Sequence, residues 1–145
     1  MKIKIKRLQK DISLPCYAHP DDAGVDLCNA GNDLTLAPLS RGLVPAGIKI
    51  AVPAGWELQI RPRSGWALSE GVTVLNTPGT IDAGYRGEVK IILFNTNSDK
   101  SVKIRKGQRI AQAVLKKVER IEWEEVEKLA NTSRNAGGFG STDHK

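Results

Sequence analysis

The sequence contains few cysteines, few aromatic residues and no long apolar run. Its 145 residues include two cysteines and two histidines, and aromatic residues make up 5% of the chain. Cys16 and Cys28 match no CxxC or zinc-ligand spacing, and His19 has no second ligand at a suitable spacing, so we expect two free thiols and no zinc site. No apolar segment reaches the roughly 18–20 residues of a membrane-spanning helix. The sequence therefore argues against a disulfide-stapled, zinc-binding or membrane-spanning protein.

The N-terminal residues also lack the apolar core of a secretory signal peptide. Lysine and arginine recur throughout residues 1–7, and this composition predicts a cytoplasmic protein. Over the whole chain lysine and arginine outnumber aspartate and glutamate by 22 to 16, a formal net charge of +6. The excess suggests an anionic partner, which by composition alone is either a nucleic acid or a small polyphosphate. No helix-turn-helix, zinc-finger or aromatic RNA-binding motif is visible.

Short alternating segments bounded by proline and glycine predict an all-β domain. Residues 2–8 alternate isoleucine with lysine, as in a half-buried edge strand with a lysine-rich outer face. Many short strands with proline and glycine turns favour a barrel or a sandwich. Residues 116–130 fit either a helical turn or a last strand. One predicted strand begins shortly after Ala23. Seven further strands are predicted at residues 34–36, 47–52, 56–61, 72–75, 89–94, 102–104 and 109–115.

One stretch interrupts the strand pattern and predicts a short helix. Ser64 suits the N-cap of about two helical turns, and Gly71 suits their end. Free amides at the helix start, together with the guanidinium of Arg63 and the hydroxyl of Ser64, would suit a phosphate group. A connector helix with a solvated arginine explains the same residues equally well.

Two polar residues stand in otherwise apolar strands. Asp26 is flanked by Val25 and Leu27, and it is either a functional carboxylate or a surface aspartate. Gln112 lies within the apolar segment 109–115, so its amide must find hydrogen bonds in the protein or on a ligand.

Residues 76–88 contain two tight turns between two predicted strands. Pro78-Gly79 fits a turn in which the glycine takes a positive φ. The hairpin would bring Asn76, Asp82 and Tyr85 together, so that backbone amides, a carboxylate and an aromatic ring face one place. We interpret this region as a binding pocket.

Residues 131–145 are rich in glycine and polar side chains and contain a single phenylalanine, Phe139. Such a segment is either a disordered terminus or a lid whose backbone wraps phosphates while Phe139 covers a flat ring. We therefore divide the chain into a β domain of residues 1–130 and a flexible C-terminal arm of residues 131–145.

Five motifs, in this order, resemble those of the homotrimeric deoxyuridine triphosphatase (dUTPase) family. Each motif alone is a weak signal, but their common order and separation make the combination specific. The resemblance covers most of the chain. The motifs are Ala23-Gly24-Val25-Asp26-Leu27, Pro62-Arg63-Ser64-Gly65, residues 76–88, Gly107-Gln108-Arg109-Ile110-Ala111-Gln112 and residues 134–142.

The resemblance implies an all-β, jelly-roll-like barrel with one short helix and a glycine-rich arm that closes over the active site. Three chains would share three active sites in a homotrimer. The implied reaction is hydrolysis of dUTP to dUMP and diphosphate with Mg²⁺, which limits uracil incorporation into DNA and supplies dUMP for thymidylate synthesis. The resemblance also implies a cytoplasmic enzyme with no stable nucleic-acid binding and no membrane partner.

Carried over residue by residue, the resemblance implies roles for individual side chains. Asp82 would orient and activate the attacking water, and Asp26 would support the metal through its water shell. Asn76 and the backbone of Gly79, Thr80 and Ile81 would bind uracil, while the Tyr85 ring would pack on the deoxyribose. The phosphates would be bound by Arg63, Ser64, Gly65 and Gln112. The terminal phosphate would be bound from the C-terminal arm by Arg134, Ser141 and Thr142, with Gly140 beside them. Phe139, in the same arm, would stack over uracil.

Three positions depart from the family pattern. Asn135 and Asp143 stand where glycine is frequent in the last motif, and Asp143 would place an anion near the terminal phosphate. Trp66 stands where leucine is more usual, a change that alters packing rather than chemistry.

Two other functions compete with dUTP hydrolysis. A deoxycytidine triphosphate deaminase would share the barrel and the trimer, but Tyr85 and the arm with Phe139 argue against it. That family's typical glutamate is also missing after the central motif, where Glu88 is the only nearby carboxylate. A catalytically idle nucleotide-binding barrel is disfavoured because every expected catalytic position is filled.

Overall fold

A computed structural model describes residues 1–138 of the chain, in which short strands surround one helix. In chain order the elements are β1 Lys4–Arg7, β2 Val25–Cys28, β3 Leu34–Leu36, β4 Arg41–Pro45, β5 Ile48–Ala51, β6 Trp56–Arg61, α1 Ser64–Glu70, β7 Val72–Val74, β8 Gly79–Ile81, β9 Lys90–Asn95, β10 Val102–Ile104 and β11 Arg109–Lys117.

The strands pair antiparallel in four hydrogen-bonded sheets. The largest sheet has the order β2-β11-β6-β8, and a second has the order β4-β9-β7. β1 pairs with β5, and β10 pairs with β3, in two smaller sheets. Because no two neighbours in any sheet are consecutive in sequence, the fold depends mainly on long-range pairing. The paired strands β7 and β9 enclose residues 76–88, the central hairpin, whose own strand β8 pairs elsewhere.

Alternate strand residues form one apolar core. In β9, Ile91 and Leu93 are fully buried, while Ile92 between them and Phe94 after them remain partly exposed. The same alternation buries Ile48 and Ile50 in β5. Full burial of one such side chain stabilises a fold by roughly 1.5–3 kcal/mol. Trp66 of α1 belongs to the same cluster, so the helix is fixed against the core.

A buried asparagine joins separate parts of the fold. The Asn95 side chain is fully buried at the end of β9. Its Nδ2 donates to the carbonyls of Leu36, Ala37 and Lys100 at 3.2, 3.0 and 2.8 Å. These bonds satisfy a buried amide and connect β9 to the end of β3 and to the turn before β10.

Several predictions from the sequence are confirmed. The chain is all-β with one short helix, and Gly71 ends that helix in the left-handed conformation with a φ of 65°. β1 is paired along one edge, with β5, in the part of the chain that the structure describes. Cys16 and Cys28 are free thiols. Apart from these predictions, no helix within residues 1–138 is long and apolar enough to cross a membrane.

Other predictions are wrong in detail. Ser64 is the first residue of α1 and not its cap; Arg63 occupies the cap position, with no side-chain cap bond. All four residues of β1 are exposed, including Ile5 at 38%, so β1 lacks the buried face that was predicted. Residues 118–130 are neither helix nor strand. β4 and β8 were not predicted, and across residues 1–138 the four sheets do not join into one closed barrel.

Candidate active site

Three of the sequence motifs meet in one groove beside α1, which we call the α1 groove. β2 brings Asp26, the start of α1 brings Ser64, and β11 brings Gln112, which is paired directly opposite Asp26 in the largest sheet. The groove has a volume of about 280 Å³. Its lining residues are Ala18, Asp22, Ala23, Gly24, Asp26, Arg63, Ser64, Gly65, Arg109 and Gln112.

Asp26 forms two ion pairs at the centre of this groove. Its Oδ1 accepts a hydrogen bond from Nε of Arg63 at 3.0 Å, and its Oδ2 accepts one from Nη1 of Arg109 at 3.1 Å. The Asp26 side chain is 20% exposed. A second guanidinium nitrogen of Arg63, Nη1, donates to the Arg109 carbonyl at 3.4 Å. The carboxylate is therefore fixed from both sides, and at 20% exposure within β2 Asp26 is not the surface aspartate of the alternative interpretation.

Gln112 is held in place by its neighbours. Its Nε2 donates to the Pro62 carbonyl at 2.9 Å, so the amide nitrogen finds its hydrogen-bond partner within the protein. A Cβ at Gly24 would lie 2.5 Å from the Gln112 Oε1. Since real Cβ atoms do not approach so closely, glycine is required here for the glutamine amide to pack against the backbone of the first motif.

A smaller cavity beside the α1 groove contains both cysteines. It measures about 110 Å³, and Asp26 and Arg109 also line it. Burial, and then the nearby Asp26 carboxylate, raise the pKa of the Cys28 thiol. Cys28 therefore remains a neutral thiol at pH 7, and it packs beside Asp26 without adding negative charge.

The central hairpin folds differently from its predicted form. Gly79, Thr80 and Ile81 form β8, which pairs with β6. The Thr77-Pro78 peptide bond is cis, and Gly79 is not among the glycines with positive φ, so the predicted Pro-Gly turn is wrong. Gly79 is instead buried against Ile60 and Asn76, since a Cβ there would lie 3.2 Å from the Asn76 Nδ2.

The second turn of the hairpin is as predicted, and it orients a tyrosine. The Tyr85 N–H donates to the Asp82 carbonyl at 3.0 Å, which closes the turn. Tyr85 Oη donates to the Glu88 carbonyl at 2.8 Å, and the ring covers Gly87. Glu88 in turn accepts a hydrogen bond from the Gly47 N–H at 3.1 Å. The ring is 42% exposed, and the Asp82 side chain is exposed, so both can reach a ligand.

Asp26 of the α1 groove and the hairpin strand β8 lie at opposite edges of the largest sheet. β2, which carries Asp26, is separated from β8, which precedes Asp82, by β11 and β6. Three strand spacings correspond to about 14 Å. Within the described residues, no hairpin residue lines the α1 groove. A single chain therefore presents the two parts of the predicted site separately.

The start of the C-terminal arm forms an exposed turn. Nε of Arg134 donates to the Gly137 carbonyl at 2.8 Å, and the Gly137 N–H donates to the Arg134 carbonyl at 2.9 Å. The predicted contacts Phe139, Gly140, Ser141 and Thr142 lie outside the described residues.

The groove offers oxygen ligands, but too few to hold a metal ion alone. No group of three or more His, Cys, Asp or Glu side chains in residues 1–138 could bind a metal ion. Asp22 and Asp26 both line the groove, and Asp22 accepts a hydrogen bond from the His19 N–H at 2.8 Å. Any Mg²⁺ here would need most of its ligands from water and a bound anion.

A family model described as dUTPase matches residues 10–143. The chain belongs to the dUTPase family. A deoxyuridine 5'-triphosphate nucleotidohydrolase of Hydrogenobaculum sp. (strain Y04AAS1) is similar to it, with 52% identity over 145 residues that cover 100% of both chains.

Solved dUTPase structures share the fold. The dUTPase of Staphylococcus bacteriophage 80alpha with dUPNHPP has a TM-score of 0.88 and 26% identity, covering 97% of each chain. A mutant dUTPase from phage phi11 of S. aureus, whose structure is described as revealing the coordination of a structural Mg(II) ion, has a TM-score of 0.80. The latter covers 88% of this chain and 98% of its own, and at 21% identity it supports the fold alone. The predicted jelly-roll-like dUTPase fold is confirmed.

Sequence reasoning gave no role to Arg109, although it lay within the fourth dUTPase motif. In a regular strand Arg109 and Gln112 would point to opposite faces. A register shift between Arg109 and Ala111 reverses this, and Ile110 and Ala111 are both buried. Two consecutive apolar residues before a glutamine were the available signal of a bulge.

Proposed function

We propose that this chain hydrolyses dUTP to dUMP and diphosphate, and so limits uracil incorporation into DNA and supplies dUMP for thymidylate synthesis. The observation that carries the proposal is the convergence of Asp26, the segment 63–65 and Gln112 in one groove of about 280 Å³. These residues come from three separate motifs, and together they offer the cations, hydroxyl and amide that bind phosphates.

The α1 groove binds the triphosphate in this proposal. Arg63 keeps Nη2 available for a phosphate while its Nε remains bonded to Asp26. Ser64 and Gly65 begin α1, where the first N–H groups have no acceptor within the helix. Gln112 completes the groove wall. Hydrolysis of a phosphoanhydride depends mainly on such positioning and on neutralisation of developing charge.

The hairpin selects the base and the sugar. β8 pairs with β6 along one edge, and no other strand among the described residues pairs with its second edge. The free N–H and C=O groups of Gly79–Ile81 can therefore bind uracil, with Asn76 beside them. Cytosine presents a donor where uracil presents an acceptor, and fixed hydrogen-bonding groups reject such a mismatch by about 10⁴-fold or more. Tyr85 under the deoxyribose would exclude a 2′-hydroxyl, and close backbone packing would exclude the methyl group of thymine.

Asp82 accepts a proton from the attacking water. Its carboxylate is exposed directly after β8, next to the turn that holds Tyr85, so it is available to a water molecule beside the bound nucleotide. Deprotonation by a positioned carboxylate typically contributes about 10²–10⁴-fold to a rate.

Mg²⁺ is the cofactor, bound to the substrate more than to the protein. Asp26, through water, and Asp22 supply carboxylate oxygens in the groove, which is the ligand type that Mg²⁺ prefers. When bound, the ion neutralises charge on the phosphates. Asp26 and Arg63 then hold the triphosphate and the water shell in one orientation.

The active enzyme is a homotrimer with shared sites. The separation of Asp26 on β2 from the hairpin strand β8, about three strand spacings or roughly 14 Å, is explained if each site combines the groove of one chain with the hairpin of a neighbour. Exposed apolar residues also require a partner: Ile121, Trp123 and Leu129 are 70%, 86% and 80% exposed. Apolar residues around Ile3 and Leu115 line an open groove of about 320 Å³. Contacts between copies would cover both surfaces.

Residues 131–145 close over the bound triphosphate. Arg134 would turn toward the terminal phosphate from its exposed position, with Ser141 and Thr142, while Phe139 covers uracil. A non-hydrolysable dUTP analogue should then protect the arm against protease. Equal cleavage with and without the analogue would disprove closure.

The remaining partners follow from the same activity. The ligand is a small polyphosphate, so we propose no stable nucleic-acid binding. Two free thiols suit a reducing compartment, which supports a cytoplasmic location. A filter-binding assay and fractionation of the native host cell would test these two points.

The decisive experiment compares dUTP with dCTP and tests Asp82. We expect diphosphate and dUMP from dUTP and no product from dCTP, whereas dUTP formed from dCTP would identify a deaminase.

Asp82→Asn should bind a dUTP analogue within about threefold of wild type and lose about 10²–10⁴-fold in kcat, since it removes the proton acceptor alone. Asp99→Asn, at an exposed position outside the motifs, is the matched control. Near-normal turnover of Asp82→Asn would remove Asp82 from this role.

A further inference from the structure

Two arginines form ion pairs with Asp26, and they differ in position and in exposure to solvent. Arg63 lies at the start of α1 and is 29% exposed, with its Nε committed to Asp26 Oδ1. Arg109 is 56% exposed at the start of β11, with its Nη1 on Asp26 Oδ2. A carboxylate offers about four lone-pair positions, so two remain for water after both arginines are bound.

A β-bulge places Arg109 at this carboxylate. Gln112 lies opposite Asp26, and Arg109 lies opposite Cys28, with a register shift between them. A bulge turns a side chain toward the other face of a strand. Because of this bulge, Arg109 and Gln112 both line the α1 groove. Arg109 also accepts, through its carbonyl, a hydrogen bond from Nη1 of Arg63 at 3.4 Å.

We propose that Arg109 is a positioning residue for the reaction: it fixes the Asp26 carboxylate so that the free lone pairs of that group face the water shell of Mg²⁺. This inference rests on the proposed function. Arg63 is the arginine that contacts phosphate, and Arg109 acts through Asp26. Without Arg109, Asp26 is held at Oδ1 alone and can rotate toward Arg63, away from the metal-bound water.

The expected consequence is a loss of coupling between Mg²⁺ and nucleotide. Partners that orient a metal-supporting group typically change metal affinity by about 10–100-fold. Mg²⁺ strengthens analogue binding by a certain factor in the wild-type protein. In Arg109→Gln we expect that factor to be about tenfold smaller, at the lower end of the range above. Binding of the same analogue without Mg²⁺ should weaken much less than binding with Mg²⁺, because the phosphate contacts of Arg63, Ser64 and Gln112 are intact and only the screened charge of Arg109 is lost.

The experiment is calorimetric titration with a non-hydrolysable dUTP analogue, with and without Mg²⁺, on the full-length protein. Arg105→Gln removes an equal charge from an exposed position four residues away and is the matched control. Arg109→Lys keeps a cation near Oδ2 and should show an intermediate Mg²⁺ effect; it also provides the measurement if Arg109→Gln does not fold. The Mg²⁺ concentration that gives half-maximal hydrolysis should be lowest for Arg105→Gln, higher for Arg109→Lys and highest for Arg109→Gln.

Two results would overturn the proposal. An unchanged Mg²⁺ effect in Arg109→Gln would show that Asp26 needs no second arginine. An equal loss of binding with and without Mg²⁺ would show that Arg109 contacts the phosphates directly. Failure of the proposed function itself would appear separately, as wild-type protein that neither hydrolyses dUTP nor binds its analogue.

Discussion

At the residue scale, the orientation of Tyr85 depends on the absence of a side chain at position 87. A Cβ there would lie 2.8 Å from the Tyr85 Cε2, and closer still to the phenol oxygen. The ring is held in this place by the hydrogen bond from Oη to the Glu88 carbonyl. Gly87 is therefore part of the proposed sugar-binding surface although it offers no side chain itself.

Gly87→Ala should displace the Tyr85 ring and lower kcat/KM for dUTP by about tenfold or more, equivalent to roughly 1.4 kcal/mol. Gly84→Ala is the matched control, because a Cβ at Gly84 meets nothing within 4 Å. Steady-state kinetics of both variants would check this, with thermal midpoints to show that both are folded. Equal kinetics for the two variants would mean that the ring position does not matter.

At the element scale, the sequence predicted those strands whose alternation is local. β5 and β6 were found because isoleucine, tryptophan and leucine recur at every second residue between proline and glycine turns. β4 contains Gly42 and Pro45, which have low strand propensity, and it is stabilised by pairing with β9 about fifty residues later. β8 likewise depends on β6. Strands stabilised by such distant partners need no local alternation of apolar and polar residues, so the sequence gives no signal that predicts them.

The same limit applies to the candidate site. The motifs located Asp26, Arg63 and Gln112, because their residue types are informative in themselves. Arg109 was missed because its side-chain direction depends on a bulge whose register is set by β2. The Pro78-Gly79 turn was predicted wrongly because β8 extends the backbone at Gly79 to pair with β6.

The end of α1 gives a prediction at this scale. Gly71 has a φ of 65°, and a Cβ there would lie 2.9 Å from both Asn97 Nδ2 and Thr96 Oγ1. Gly55 also has a positive φ, of 78°, but nothing lies within 4 Å of its Cβ position. Both alanine variants should lose about 1 kcal/mol from left-handed strain. Gly71→Ala should lose roughly 1 kcal/mol more, because Asn97 must move and weaken its bond to Glu70. Urea denaturation would measure the difference, and equal losses would show that the neighbours yield freely.

At the scale of the whole molecule, each proposed active site combines residues of more than one chain. In the largest sheet β11 and β6 separate β2, which carries Asp26, from β8, and within the described residues no hairpin residue lines the α1 groove. Exposed Ile121 and Trp123 lie in a segment without regular structure, as expected for a surface that contacts another copy. A closed symmetric trimer would repeat one such contact three times and produce three equivalent sites.

Complementation between two inactive variants tests this claim most directly. Asp82→Asn damages the hairpin and leaves the α1 groove intact, whereas Arg63→Gln damages the groove and leaves the hairpin intact. The two chains are co-expressed with different tags, purified as mixed oligomers, and compared with each variant alone in a dUTP hydrolysis assay. If each site combines two chains, the purified mixed trimers should restore about a third of wild-type activity, since one of the three sites in each such ring pairs an intact groove with an intact hairpin. If both parts come from one chain, every site contains a substitution, and activity of the mixture no greater than that of the separate variants would contradict the account.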